Sequence, residues 1–155
     1  MNKPKLLITF VFAFSFFIFS CNREQPKQLV VEKKMVCYQS ISGSDTAWLS
    51  IDTAQKIIAG NLTFNYTGKK EIFDGKFKGI MRGDTLIGHF DFKVNNANPP
   101  FRNPVAFLKR DRKFTMGVGQ FMMVMGFAEF DDRVPIDYEK GRFIFEEVTC
   151  KPSIQ

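Results

Sequence analysis

The side chains that could do chemistry are few and far apart. His89 is the single histidine, so any Ser-His-Asp or Cys-His relay would have to pass through it. It stands in Thr85–Val94, where Leu86, Gly88, Phe90, Phe92 and Val94 alternate with His89, Asp91 and Lys93. Period two puts His89 on the polar face of a strand. Asp131-Asp132 and Glu146-Glu147 are adjacent pairs, and neighbours on a strand point to opposite faces, so neither pair can flank one glycosidic bond. Met116, Met122, Met123 and Met125 crowd one stretch. Thioethers bind Cu(I), but with no His or Cys among them they suit an adaptable apolar lining for a lipid-like ligand better. No glycine-rich loop ending in Lys-Ser/Thr is present to cradle phosphate. These residues predict a protein that is not an enzyme and takes no cofactor or metal.

The elements that would position them are strands. Val30–Ser40 is rich in β-branched and apolar residues, and Ser42-Gly43-Ser44-Asp45 is a turn cluster. In Thr46–Ile51, Ala47, Leu49 and Ile51 share one face, with Thr46, Trp48 and Ser50 on the other. Ile57–Tyr66 and Ile72–Arg82 alternate as cleanly, with Gly60, Gly75 and Gly79 among the inward positions and Gly88 likewise in the next strand. Glycine there relieves crowding where strands bend, as at the corners of a small barrel. Asn95–Asn103 reads as a proline-marked loop, followed by a hairpin of Val105–Arg110 and Lys113–Val118 around Asp111-Arg112. Residues 119–127 are apolar without period two, which fits a buried strand or an apolar loop. Asp131–Gly141 reads as a connection and Arg142–Cys150 as the last strand. The expected fold is all-β: a small antiparallel meander barrel of about eight strands, lipocalin-like or lysozyme-inhibitor-like in size.

The N-terminus is of another kind. Lys3 and Lys5 precede an apolar run, Leu6–Phe19, that is too short to span a bilayer and has the length of a secretion signal. The run ends in Ile18-Phe19-Ser20-Cys21, which resembles the bacterial lipoprotein signal. That resemblance implies cleavage after Ser20 and lipid on Cys21, with enough acyl chains for stable anchoring. The organisation expected is a signal peptide over 1–20, a tether over 21–29, one barrel domain over 30–150 and a tail over 151–155. Asn22, rather than Asp, follows the lipid site and favours the outer membrane, facing the periplasm. Two of the 22 basic residues and none of the 16 acidic ones lie in 1–20, which leaves a mature net charge of +4. So small and scattered an excess predicts no nucleic-acid partner.

With Cys21 committed to lipid, Cys37 and Cys150 remain as a pair in an oxidising compartment, and a disulfide joining the first and last strands is expected. Trp48, opposite Leu49, is a candidate interface anchor. Asp-Thr recurs before a small or aliphatic residue at Asp45-Thr46-Ala47, Asp52-Thr53-Ala54 and Asp84-Thr85-Leu86. The triplet resembles the acceptor of a general O-glycosylation system in some Gram-negative bacteria, with Thr46, Thr53 and Thr85 as the acceptors. Turn chemistry, with Asp closing a turn and Thr opening a strand, accounts for the same residues.

From Cys37 to Phe92 the sequence resembles a group of small Gram-negative lipoproteins without an assigned activity. The residues that carry this are Cys37-Tyr38, Asp45–Ile51, Gly60-Asn61-Leu62-Thr63-Phe64 and Gly79–Leu86, with Cys150 as the terminal cysteine. The resemblance implies a compact β domain on a lipid anchor and brings no activity. The residues and the expected barrel leave a module that binds a protein or cell-wall partner as the first reading, a carrier holding an apolar small molecule inside a Phe- and Met-lined barrel as the alternative, and an enzyme as the last.

Overall fold

The computed structural model describes residues 32–150; the signal, Cys21, the tether and the tail lie outside the described residues. Ten strands follow one another: β1 (Met35–Ser42), β2 (Asp45–Asp52), β3 (Ile57–Tyr66), β4 (Glu71–Arg82), β5 (Thr85–Val94), β6 (Phe101–Arg110), β7 (Lys113–Met116), β8 (Phe121–Val124), β9 (Phe127–Phe130) and β10 (Ile144–Val148). Eight of them close an antiparallel barrel in the order β1-β10-β7-β6-β5-β4-β3-β2. The chain meanders from β1 to β7, leaves the barrel to form the separate β8–β9 hairpin, and returns as β10 between β7 and β1. A 3₁₀ turn at Thr67–Lys69 is the one helical element among the described residues.

Tight turns set the register. Gly43-Ser44, Gly83-Asp84, Asp111-Arg112 and Met125-Gly126 each link two strands with two residues, since the flanking residues pair directly. Gly43, Gly83, Asp111, Met125 and Gly126 take positive φ, which two-residue hairpins demand because their twist must match that of the strands. The registers bring the alternating apolar positions inward: Leu49 pairs with Leu62, Phe64 with Phe73 and Phe77 with Phe90.

Aromatic rings occupy the interior. Phe77, Phe107 and Phe145 are fully buried, and Phe64, Phe90, Phe92, Phe114 and Phe143 nearly so. Ring centroids link up through the barrel: Tyr38–Phe114 at 5.1 Å, Phe107–Phe145 at 5.5 Å, Phe64–Phe143 at 5.1 Å and Phe90–Phe92 at 4.7 Å. Arg142 lies over the Phe143 and Tyr66 rings, 4.7 and 5.6 Å from their centroids, and pairs with Asp45. The Cys37–Cys150 disulfide is present, with Cα atoms 5.1 Å apart across a separation of 113 residues. It ties β1 to the chain just beyond β10, where the barrel closes.

Several boundaries differ from the sequence reading. The first strand begins at Met35 rather than Val30, and the last is Ile144–Val148 rather than Arg142–Cys150. The loop expected over Asn95–Asn103 stops earlier, because β6 starts at Phe101 and carries Pro104 within it. β7 ends at Met116, short of Val118. The largest correction is at 119–127. It is neither a buried strand nor a loop, but β8 and the start of an exposed hairpin, with Met123 69% and Met125 94% exposed. Met122, Met123 and Met125 therefore lie outside the barrel and do not line its interior, while Met116 packs against the core.

Two measurements check this architecture. Replacing Cys37 and Cys150 with Ser should lower the stability to urea by about 4–5 kcal/mol, from the freedom restored to so long a loop. Gly60→Ala should destabilise strongly, because its added Cβ would sit 1.8 Å from the Ser50 carbonyl oxygen on the neighbouring strand. A loss of about 1–3 kcal/mol is expected, the ordinary cost of overpacking.

Candidate functional site

The excursion between β7 and β10 builds the most structured feature of the outer wall. β7 is only four residues long, and beyond it Gly117 donates its N–H to the Ala106 carbonyl on β6. The chain then turns across the outside of β6 and β5. Val118 and Asp137 exchange backbone hydrogen bonds at 2.8 Å and close the base of the excursion. Gly117 leaves room there for Ile136 and Tyr138, which a Cβ would strike. This cover explains why residues 104–107 are buried in an unbroken run: Val105 and Phe107 face the core, while Pro104 and Ala106 lie under the excursion.

β9 is held to the barrel by two contacts. The Nε2 atom of His89 lies 2.9 Å from both carboxylate oxygens of Glu129. Arg102 lies 5.7 Å from the centroid of Phe127, and the same guanidinium donates to both Asp91 oxygens, at 2.5 and 2.8 Å. Those hydrogen bonds hold the Asp91 carboxyl below the usual carboxylate range. Further along, Arg133 pairs with Asp131 at 2.7 Å. His89 and Pro104 are register partners, as are Asp91 and Arg102, so the hairpin tip points toward the barrel end that carries the β5–β6 loop.

Between the excursion and the wall lies a groove of about 760 Å³. Its floor includes Ile80, Ile87 and Pro104; Lys78, Arg82 and Asp132 stand at its edges, and Phe130, Val134 and Ile136 form the far side. Above it the hairpin is almost wholly apolar. Phe121, Met123 and Met125 alternate on its outer face and are 55%, 69% and 94% exposed. Glu129, the one charged residue in β8 or β9, turns inward to His89.

The other residues singled out from the sequence are dispersed. His89 does lie on the outer face, paired with a glutamate. Trp48 is on the outer face of β2 and partly exposed, as its alternation predicts. Thr46 is partly exposed on the same face; Thr85 opens β5; Thr53 follows β2 and donates its hydroxyl to the Lys34 carbonyl at 3.2 Å. These threonines are not brought together. Glu146 pairs with Lys113 at 2.6 Å, far from the Asp131 pair. Among the described residues, no group of three or more His, Cys, Asp or Glu is placed to hold a metal. Glu129, Arg102 and the groove had no signal in the sequence, because they meet only through the path of the excursion. No protein-family model, curated protein or solved structure matches the chain.

The Arg102 contacts generate a pH-dependent prediction. A carboxylate with a depressed pKa contributes stability above its unfolded value and loses it as the pH falls through the folded value. Arg102→Ala should therefore lower the melting temperature at neutral pH, modestly for so exposed a pair. The gap from the parent should narrow as the pH falls below about 4, the ordinary Asp range, in thermal melts recorded across pH.

Proposed function

We propose that the mature chain is a lipid-anchored, non-enzymatic binding module of the cell envelope, and that a protein partner seats on the β8–β9 hairpin and the groove beneath it. The exposed hairpin carries this reading. A stripe of Phe121, Met123 and Met125 with no charge beside it is costly to leave in water, and apolar patches with a polar rim mark interaction surfaces. Flexible thioethers suit a surface that must fit a partner. Lys78, Arg82 and Asp132 supply polar edges to the groove beneath it.

The position of the hairpin supports the same role. Lys34 is hydrogen-bonded to Asp52 and Thr53, at the barrel end opposite the β5–β6 loop. The described chain therefore enters the barrel at the end away from the hairpin tip. The rings filling the interior argue against an apolar ligand carried there, since an eight-stranded barrel is just wide enough for its side chains to fill.

Native mass spectrometry of residues 22–155, exported to a periplasm without the Cys21 lipid site, should give the bare polypeptide mass, unchanged on denaturation. A small molecule lost on denaturation would overturn the reading in favour of a carrier. A photo-crosslinking residue at position 125 should capture an envelope protein in cells, and one at position 56, at the other end of the barrel, should not. Equal labelling at both positions would remove the hairpin from the partner site.

A further inference from the structure

The wall across the barrel from the hairpin carries a second recess of different chemistry. β3 and β2 lie three and four places from β6 around the closed sheet. On their outer faces Trp48 pairs with Thr63, and Ser50 with Asn61. A recess of about 210 Å³ opens there, lined by Trp48, Ser50, Asn61, Thr63 and Thr149, with Leu49 and Cys37 of the disulfide at its base. No charged side chain lines it. On β1, Gln39 pairs with Trp48 and extends the neutral polar surface.

The hydrogen-bonding groups are already oriented by a layer behind them. Lys76 donates to Asn61 Oδ1 at 2.6 Å, and Asn61 Nδ2 donates to Ser50 Oγ at 3.4 Å. This leaves the second Nδ2 hydrogen of Asn61 and the Ser50 hydroxyl proton as donors. Thr63 gives its proton to Asp74 at 2.5 Å, which leaves its oxygen lone pairs as acceptors. Thr149, exposed beyond β10, adds a hydroxyl that can do either. The charges of Lys76 and Asp74 thus fix the neutral groups.

We propose that this recess binds a neutral saccharide, with one pyranose ring lying against the Trp48 indole and its hydroxyls meeting Ser50, Asn61, Thr63 and Thr149. A sugar ring presents apolar C–H faces and a rim of groups that both donate and accept. A partly exposed indole beside fixed amides and hydroxyls complements both features. The lining groups are neutral and the two charges behind them, Lys76 and Asp74, are opposite in sign, so the recess offers no net charge to favour an anionic or cationic ligand. The site is on a different wall from the hairpin, and its test is independent of the hairpin's partner.

Trp48 is the only tryptophan, so the intrinsic fluorescence of the mature chain reports on this site alone. Titration with maltotriose and with tri-N-acetylchitotriose, each into the millimolar range, should give a saturable blue shift with at least one of them. Asn61→Ala should weaken that binding about tenfold, the loss of one or two oriented hydrogen bonds, while far-UV circular dichroism and the disulfide stay unchanged. Thr149→Val, outside any strand, should weaken it too and serves if the Asn61 variant fails to fold. A flat titration with both saccharides would overturn the proposal. So would a shift that is indifferent to both substitutions, or a protein bound through Trp48 by a chain that answers to neither sugar.

Discussion

The fold rests on how closely neighbouring strands approach at four inward glycines. A Cβ added to Gly75 would lie 1.9 Å from the Asp91 carbonyl oxygen, and one on Gly60 would be nearer still to that of Ser50. Gly79 and Gly88 face each other across β4 and β5 with similar crowding. At each of the four the nearest atom is backbone, which cannot turn aside as a side chain can. The sheet bends tightly enough to close on eight strands because side chains are missing where they would collide. A barrel so narrow has its interior filled by the aromatic rings that flank the glycines along the same strands: Phe64, Phe73, Phe77, Phe90 and Phe92. With the inside occupied, both proposed binding surfaces lie on the outer wall.

Closure also constrains the excursion. β10 must pair with β7 on one side and β1 on the other, and β7 contributes only four residues to its hairpin with β6. The N-terminal half of β6 then has an open side, which the excursion covers. Pro104 is tolerated inside β6 for this reason. Ala106 turns its carbonyl toward Gly117, on the β7 side, and residue 104, two positions away, faces the same way. β7 has already left at that point, so the missing N–H of proline forfeits no ladder bond. In the sequence, Asn103-Pro104 reads as the end of a loop; only the shortness of β7 makes it strand.

Wet and dry faces decide how much of this fold is legible in the sequence. β2 to β5 were readable face by face, because each has one wet and one dry side and period two survives in the residue types. The disulfide follows in the sequence from the expected export and the pair of cysteines that remains beyond Cys21. The hairpin was not readable, since both of its faces are apolar: one lies toward the barrel and the other is exposed, so Phe121–Phe127 shows no alternation to read. His89 could be placed on the outer face, but not beside Glu129, forty positions along the chain. That pairing depends on where the excursion lands, and its base is fixed by the Gly117–Ala106 and Val118–Asp137 backbone hydrogen bonds. Trp48 was placed correctly, but its polar surroundings come from β3 and from Thr149 beyond β10, joined to it only by register and closure.

An exposed apolar hairpin is a hazard as well as the proposed binding surface, because β8 offers an unpaired edge of the kind that templates aggregation. Glu129 has a particular role in managing it. Turned outward, it would dilute the apolar stripe with a charge; turned inward without a partner, it would pay for lost hydration. The imidazole of His89 meets both carboxylate oxygens and makes the inward orientation tolerable, while Arg102 holds Phe127 from the β6 side. The hairpin therefore keeps one edge strand near the wall and shows its outer face in a fixed register. The polar pair orients the hairpin, and the apolar face, which contributes little to the stability of the isolated barrel, is the part left to be covered by something else.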